Sequence, residues 1–271
     1  MTDLSRSYTE YLQSLSWSRL IGGQIVSSFG ESGILHAFDM IATRLQFRGD
    51  YRLTAVSKEV SKVQADGGVR SFYRGYGFAA MANVPIELIY RTTYDYTCRD
   101  QGKSPFIAGL MADTIVSVFQ VPTEVVTQRL QVAPKGTSAK HVISRLWSEQ
   151  GLRGFYRTIN LALVFHPIQA GCWWYTYENC RGNTNNNVLI SSTVASVTVS
   201  CIFNPITVVK TQIQTGRSTS SGISLLREMI RTSQGRKTLV FAGLIPTLSR
   251  SVLEGFIHAY TYETVFNLAR I

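Results

Sequence analysis

The chain has 271 residues, of which 45% are hydrophobic and 16% are charged, and its formal net charge is +10. The length allows one large domain or two small ones. The lysines and arginines are spread between apolar runs and form no basic helix with interleaved aromatic residues, which argues against a nucleic-acid partner. In a membrane protein such residues collect at the lipid headgroups.

The N-terminal segment, residues 1–17, is polar and has no continuous apolar run of the kind found in a secretory signal. Beyond it lie six apolar stretches of roughly 20 residues, the length needed to cross a bilayer as a helix. Three of them, which we call odd, cover 20–43, 105–128 and 188–210. The other three, which we call even, cover 75–94, 158–177 and 243–262. The sequence therefore predicts an all-α membrane protein with six transmembrane helices.

A polar segment separates the two stretches of each pair. In the first, residues 53–63, Val56, Val60 and Val63 recur at helical spacing among lysines and serines, which predicts a short helix on the membrane surface. Glycines end these segments and predict a sharp turn into the next span. They are Gly67-Gly68, Gly151 and Gly235.

Three markers show that the chain is one unit repeated three times. The first marker occupies 38–46, 123–131 and 206–214, at offsets of 85 and 83 residues. The second begins at 71 and 154 and returns faintly at 240, and the third, an aromatic-acidic pair, begins at 94, 177 and 262. We therefore predict a polar segment 1–17 and pseudo-symmetric repeats 18–100, 101–183 and 184–271, which form one integrated domain.

The markers carry a recognisable set of motifs. Pro-x-[Asp/Glu]-x-x-[Lys/Arg] ends the odd stretches, an aromatic-basic-Gly motif follows, and [Phe/Tyr]-[Asp/Glu]-x-x-[Lys/Arg] ends the even stretches. This pattern covers nearly the whole chain and resembles the mitochondrial carrier family. The resemblance implies a multi-pass protein of the mitochondrial inner membrane that exchanges metabolites by opening alternately to either side. Rings of ion pairs would close each mouth of its cavity.

The ring at the ends of the odd helices is depleted. The resemblance implies a matrix gate formed by Asp39, Glu124 and Lys210. The basic positions of the first two repeats hold Ala42 and Thr127, and the acidic position of the third holds Thr207. Since a single in-register cation faces two acids, we expect at most one of three ion pairs.

The ring at the ends of the even helices is incomplete in the same way. The implied cytoplasmic gate consists of Asp95, Glu178, Arg181 and Glu263. Only Glu178 is followed by a basic residue in register, because the other two positions hold Cys98 and Phe266.

The aromatic-basic-Gly motif implies binding of cardiolipin or a similar anionic lipid, since backbone N–H groups at helix starts attract phosphate. It is intact as Tyr73, Arg74 and Gly75, and partly kept as Tyr156 and Arg157. The resemblance also implies substrate-contact positions on the even helices. These are Ala82 with neighbouring Asn83, Phe165 with neighbouring His166, and Arg250, and we add Glu254 as a further substrate-contact candidate.

Arg250 has two interpretations that the sequence leaves open. It can hold a small carboxylate, or it can simply neutralise Glu254, one turn further along the helix. His166 stands alone in its span, where a packing residue with a hydrogen bond is commoner than a ligand or proton relay.

No Gly-x-Ser-x-Gly, Walker or His-Glu-x-x-His motif occurs, so we predict neither an enzyme nor a cofactor. The cysteines, Cys98, Cys172, Cys180 and Cys201, have no metal-ligand spacing, so no metal is expected. Two functions from different classes remain. The depleted gates favour an accessory or structural subunit of a larger inner-membrane complex, with protein partners there. The alternative is an active transporter of a small anionic or zwitterionic metabolite.

Overall fold

The structure is a computed structural model that describes residues 17–97, 105–183 and 187–268, with side chains from residue 33 to 257 apart from several positions in between. The described chain is helical and contains no strand. Its long helices are α1 Trp17–Arg48, α3 Tyr76–Asp95, α4 Pro105–Val132, α6 Ile159–Asn183, α7 Val188–Gln214 and α10 Leu244–Leu268. The short ones are α2 Leu53–Gly67, α5 Ala139–Phe155, α8 Gly222–Arg231 and α9 Ser233–Phe241, with a 3-10 helix, Gly68–Tyr73, after α2.

Each predicted apolar stretch forms the greater part of one long helix. The helices have 20 to 32 residues, so each is about 30 Å long or more. They contact one another in the order α1, α3, α4, α6, α7, α10 and back to α1, which closes a ring. This closure brings the last helix against the first.

The helices differ in how apolar they are. By length and mean hydropathy, one segment of the described residues, Leu189–Gln214 within α7, qualifies on its own as a candidate membrane span.

Three clusters of buried apolar side chains hold the short helices against the ends of the odd long helices. In the first repeat, Met40, Ile41 and Leu45 of α1 meet Ala55 and Val63 of α2. Corresponding residues serve the other repeats, namely Val125, Val126 and Leu130, and Val208, Val209 and Ile213. Burying a Val, Leu, Ile or Met side chain contributes about 1.5–3 kcal/mol. The apolar positions of the first repeat marker are therefore the core of each repeat.

The turn predictions are correct in two repeats and wrong in the third. Gly68 and Gly151 have nearly the same backbone conformation, with φ of 63° and 59° and ψ of −154° and −153°. Only glycine adopts this region readily. Gly235, by contrast, lies in the first turn of α9, and its N–H donates to Thr232 Oγ1 at 3.1 Å. Thr232, extended at φ −101° and ψ 141°, makes the turn instead.

The surface helix α2 contains a buried acid that the apolar pattern does not predict. Glu59 is 1% exposed, beside the expected Val56, Val60 and Val63. Its carboxylate accepts a hydrogen bond from Arg44 Nη1 at 3.1 Å and another from Arg48 Nη1. Because both oxygens are paired, the charge is tolerated in the interface between α1 and α2.

We predict that Gly75→Ala destabilises the protein more than Gly136→Ala. Both glycines have a left-handed backbone, with φ of +82° and +88°. A Cβ at Gly75 would lie 3.2 Å from Leu130 Cβ and 3.4 Å from Thr127 O, whereas one at Gly136 would meet nothing within 4 Å. Strain alone costs about 1 kcal/mol or more, and crowding adds to it at Gly75 only. Melting temperatures in detergent measure the difference, and equal losses would contradict close packing of α3 on α4.

Candidate functional site

The ends of the odd helices meet around Glu124 and Lys210, two of the three matrix-gate residues. Lys210 Nζ lies 2.7 Å from Glu124 Oε2, and the two side chains are 14% and 24% exposed. They come from the second and third repeats, so the pair joins α4 to α7. At this burial an ion pair is worth more than on the surface, but breaking it leaves an unpaired charge.

Polar groups from three helices surround this pair. Glu124 accepts hydrogen bonds from Gln120 Nε2 at 3.3 Å and from Gln214 Nε2 at 3.1 Å. Lys210 Nζ also lies 2.9 Å from His166 Nε2, on the neighbouring even helix α6. His166 is therefore a hydrogen-bond partner of the gate lysine.

The second repeat adds a further contact below the gate. Gln214 Nε2 also donates to Thr158 Oγ1 at 2.9 Å, and Thr158 is fully buried. Thr158 stands where the aromatic-basic-Gly motif has glycine in the first repeat. The departure from the motif thus supplies an acceptor that glycine lacks.

Asp39, the third matrix-gate residue, is paired with Arg250 of the last helix. Arg250 Nε lies 2.8 Å from Asp39 Oδ1, and Arg250 Nη1 donates to Glu254 Oε2 at 2.7 Å. The side chains of Asp39, Arg250 and Glu254 are 44%, 30% and 25% exposed. The first acid of the gate therefore has a cation, although the basic motif positions of the first two repeats hold Ala42 and Thr127 and Lys210 is paired with Glu124.

The motif positions thus form one ion pair, as expected, and the pair of Asp39 with Arg250 is a second one that lies outside the motif. The gate motif includes only positions at the ends of the odd helices, whereas Arg250 lies on an even helix, α10. The structure also modifies the interpretation that Arg250 simply neutralises Glu254, because the Arg250 guanidinium bridges Asp39 and Glu254. Arg250 therefore pairs with a carboxylate of the first helix as well as with its neighbour on α10.

The remaining substrate-contact candidates carry no charge. Ala82 and Asn83 on α3 and Phe165 on α6 are all half-buried. The charged members of the site thus come from α1, α4, α7 and α10. They comprise three carboxylates and two cations, with His166 beside Lys210.

A ring of side-chain to backbone hydrogen bonds lies one turn beyond the gate and follows the threefold symmetry. In each case the donor stands two residues before the glutamine of its own marker, and the acceptor is the glutamine carbonyl of the next repeat. The bonds are Arg44 Nε to Gln131 O at 2.8 Å, Arg129 Nε to Gln214 O at 2.9 Å, and Gln212 Nε2 to Gln46 O at 3.1 Å. The recurrence of these residues was visible in the sequence, but their partners were not.

Most of the cytoplasmic gate cannot be placed. The side chains of Asp95, Glu178 and Glu263 lie outside the part of the chain whose side chains the structure describes. Arg181 is described, and its guanidinium carbon lies 5.9 Å above the ring of Tyr177, a cation–π distance.

The lipid-binding candidates lie at the start of the even helices. Arg74 is turned towards the protein, with Nη1 donating to Ala133 O at 3.3 Å and Nη2 lying 3.7 Å from Asp66 Oδ2. Tyr73 is 40% exposed, while Tyr156 and Arg157 are half-buried. Gly75 starts α3 in a left-handed conformation. Cardiolipin binding at these positions remains a prediction.

Comparison with known proteins gives the same threefold division. The family pattern described as mitochondrial carrier protein matches residues 13–104, 99–188 and 182–270. The mitochondrial substrate carrier family protein E of Dictyostelium discoideum is 27% identical, over 70% of this chain and 75% of the relative. Protein J of the same organism is 24% identical, over 92% and 89%. The mitochondrial S-adenosylmethionine carrier protein of Xenopus laevis is 28% identical, over 86% and 90%.

The family match spans nearly the entire chain, and the relatives align along most of their own length. Family members are transporters of the mitochondrial inner membrane and not enzymes. The chain belongs to the mitochondrial carrier family.

Proposed function

We propose that the protein is an active transporter of a small zwitterionic metabolite across the mitochondrial inner membrane, with its six long helices as transmembrane spans. The observation that carries the proposal is the ion pair between Arg250 and Asp39. Together with Lys210 and Glu124, it gives the matrix gate two breakable bonds between different helices. A gate of this kind can open and close even though the family motif is depleted.

The accessory-subunit hypothesis loses its support at the matrix gate. It rested on the loss of basic positions at both gates, and at the matrix gate the pair of Arg250 with Asp39 supplies a second ion pair. The third acidic position holds Thr207, whose hydroxyl donates to Phe203 O at 3.2 Å, so it leaves no charge without a partner. The relatives named above are carriers in their descriptions, which also favours transport.

The charge pattern favours a zwitterion over a simple anion. Arg250 lies between two carboxylates, so a ligand carboxylate and a ligand ammonium could exchange with neighbouring partners. The site also has three carboxylates for two cations, which disfavours a dicarboxylate. An amino-acid-like group meets both requirements, and S-adenosylmethionine, named for the Xenopus relative, contains one.

Uptake into proteoliposomes tests the proposal. Purified protein is reconstituted with internal S-adenosylmethionine or amino acids, and uptake of the labelled compound is compared with that of labelled dicarboxylates. We expect saturable uptake of a zwitterion, loss of uptake in Arg250→Ala, and normal uptake in Arg227→Ala, which removes an exposed arginine on α8.

Two observations together would contradict the transporter proposal. If folded protein transports none of these compounds, and in mild detergent extracts it migrates with a large membrane complex, the transporter proposal is wrong. The accessory-subunit hypothesis would then be the better one.

A further inference from the structure

A polar cavity of about 300 Å³, lined by none of the matrix-gate residues, lies at the ends of α1 and α7 and against α8 and α9. This size is at the lower end for small-molecule sites. Its polar lining consists mainly of Arg48, Gln212, Arg217, Thr232, Gln234 and Thr238. The cavity therefore lies at the seam between the third repeat and the first.

The lining is cationic. It includes two guanidinium groups and, among the residues described around it, no carboxylate. Glu59, the acid that pairs with Arg48, is shared with Arg44, so one negative charge serves two arginines. Arg217 donates from Nη1 to Phe47 O, and its guanidinium carbon lies 5.7 Å above the Phe47 ring. The cavity thus keeps a net positive potential that an anion would neutralise.

The donors converge on one point of the cavity, beside Gly49. A Cβ atom placed on Gly49, whose φ is +70°, would lie 3.9 Å from Arg217 Nη2 and 3.9 Å from Gln212 Nε2. The same Cβ would lie 3.4 Å from Thr238 Cγ2, in ordinary van der Waals contact. An oxyanion beside Gly49 could accept hydrogen bonds from a guanidinium and from an amide.

The two arginines belong to this seam alone. At the offsets of the repeat, the positions equivalent to Arg48 hold Ala133 and Gly216. Those equivalent to Arg217 hold Gly49 and Pro134. Each cation has a contact within the fold, Arg48 with Glu59 and Arg217 with Phe47 O, and a guanidinium has further N–H groups that an anion could use.

We propose that this cavity binds a phosphate-type oxyanion, supplied either by a soluble phosphate compound or by the headgroup of a phospholipid. Arg48 and Arg217 provide the charge, and Gln212, whose Nε2 also donates to Gln46 O, has a second amide hydrogen as a neutral donor. None of the lining residues belongs to the predicted gates or to the aromatic-basic-Gly motif.

The test measures the affinity of inorganic phosphate for the full chain in phosphatidylcholine nanodiscs, by titration calorimetry at constant ionic strength. The main variant is Gln234→Glu, which places a carboxylate in the cavity from an exposed position and removes no contact that holds the fold. Its matched control is Gln150→Glu, the equivalent change in the second repeat. Arg217→Gln removes a cation directly.

We expect phosphate to bind the unchanged protein and Gln150→Glu alike, and to bind Gln234→Glu and Arg217→Gln at least about tenfold more weakly. Adding cardiolipin to the nanodiscs distinguishes a lipid headgroup from a soluble phosphate compound as the natural occupant of the cavity. Loss of phosphate binding there identifies a lipid headgroup as the occupant, and unchanged binding identifies a soluble phosphate compound. If phosphate does not bind, or binds all variants equally, the proposal is overturned.

Discussion

Arg250→Ala is expected to reduce transport at least about tenfold, with a smaller loss of stability. The substitution removes the cation that Asp39 and Glu254 share, at distances of 2.8 and 2.7 Å, and leaves two carboxylates near each other. Removing one partner from a partly buried, hydrogen-bonded pair costs about 2 kcal/mol or more, which corresponds to more than tenfold in a rate or equilibrium. The initial rate of uptake into proteoliposomes measures the effect.

Asp39→Asn shows whether Arg250 acts in the gate or only on the substrate. If the ion pair is part of the gate, Asp39→Asn also lowers the maximal rate, and the double variant loses less than the sum of the single losses. Arg250→Lys keeps the charge but not the two-pronged geometry, and we expect it to recover part of the activity. Independent, additive effects of the Asp39 and Arg250 changes would contradict a functional ion pair.

Much of the fold could be predicted because each of its elements is determined locally. The apolar stretches give helices at the predicted positions, and the recurrence of Met40-Ile41 as Val125-Val126 and Val208-Val209 marks the three buried clusters. Gly68 and Gly151 give the turns because their conformation excludes other residues. The turn predicted at Gly235 was wrong because a glycine can also lie in the first turn of a helix, here the one that Thr232 caps.

The site was less predictable because its partners come from distant parts of the chain. Arg250 reaches Asp39 only because α10 closes the ring against α1, and no spacing within a repeat encodes that contact. Nothing in the spacing of α2 indicates that Glu59 is buried, because its partners Arg44 and Arg48 come from the preceding helix. Sequence motifs identified which charges were missing, but only the packing of helices identified which charges replaced them.

The departures from symmetry therefore have two consequences. Where a repeat lost a gate charge, another helix supplies one, as Arg250 does for Asp39. Where a repeat lost a glycine, Thr158 became an acceptor for Gln214. In both cases a contact from another helix is present where the motif residue is absent. A count of missing motif residues therefore underestimates how many contacts the gate retains.

Lys210→Ala is expected to destabilise the protein by about 3 kcal/mol and to stop transport. Lys210 is the cation that the structure places on Glu124, at 2.7 Å, and both side chains are largely buried. Without it, Glu124 keeps only the hydrogen bonds from Gln120 and Gln214, which do not neutralise its charge. The melting temperature in detergent and the uptake rate measure the two effects.

The controls for Lys210 separate charge from contact. Lys140→Ala removes an exposed lysine on α5 and should change neither measurement. Exchanging the pair, Glu124→Lys with Lys210→Glu, restores opposite charges between α4 and α7 but places a carboxylate beside His166, so we expect stability to recover more than transport. Full activity of Lys210→Ala would show that the matrix gate closes without this ion pair. The transport mechanism would then depend on Arg250 and Asp39 alone.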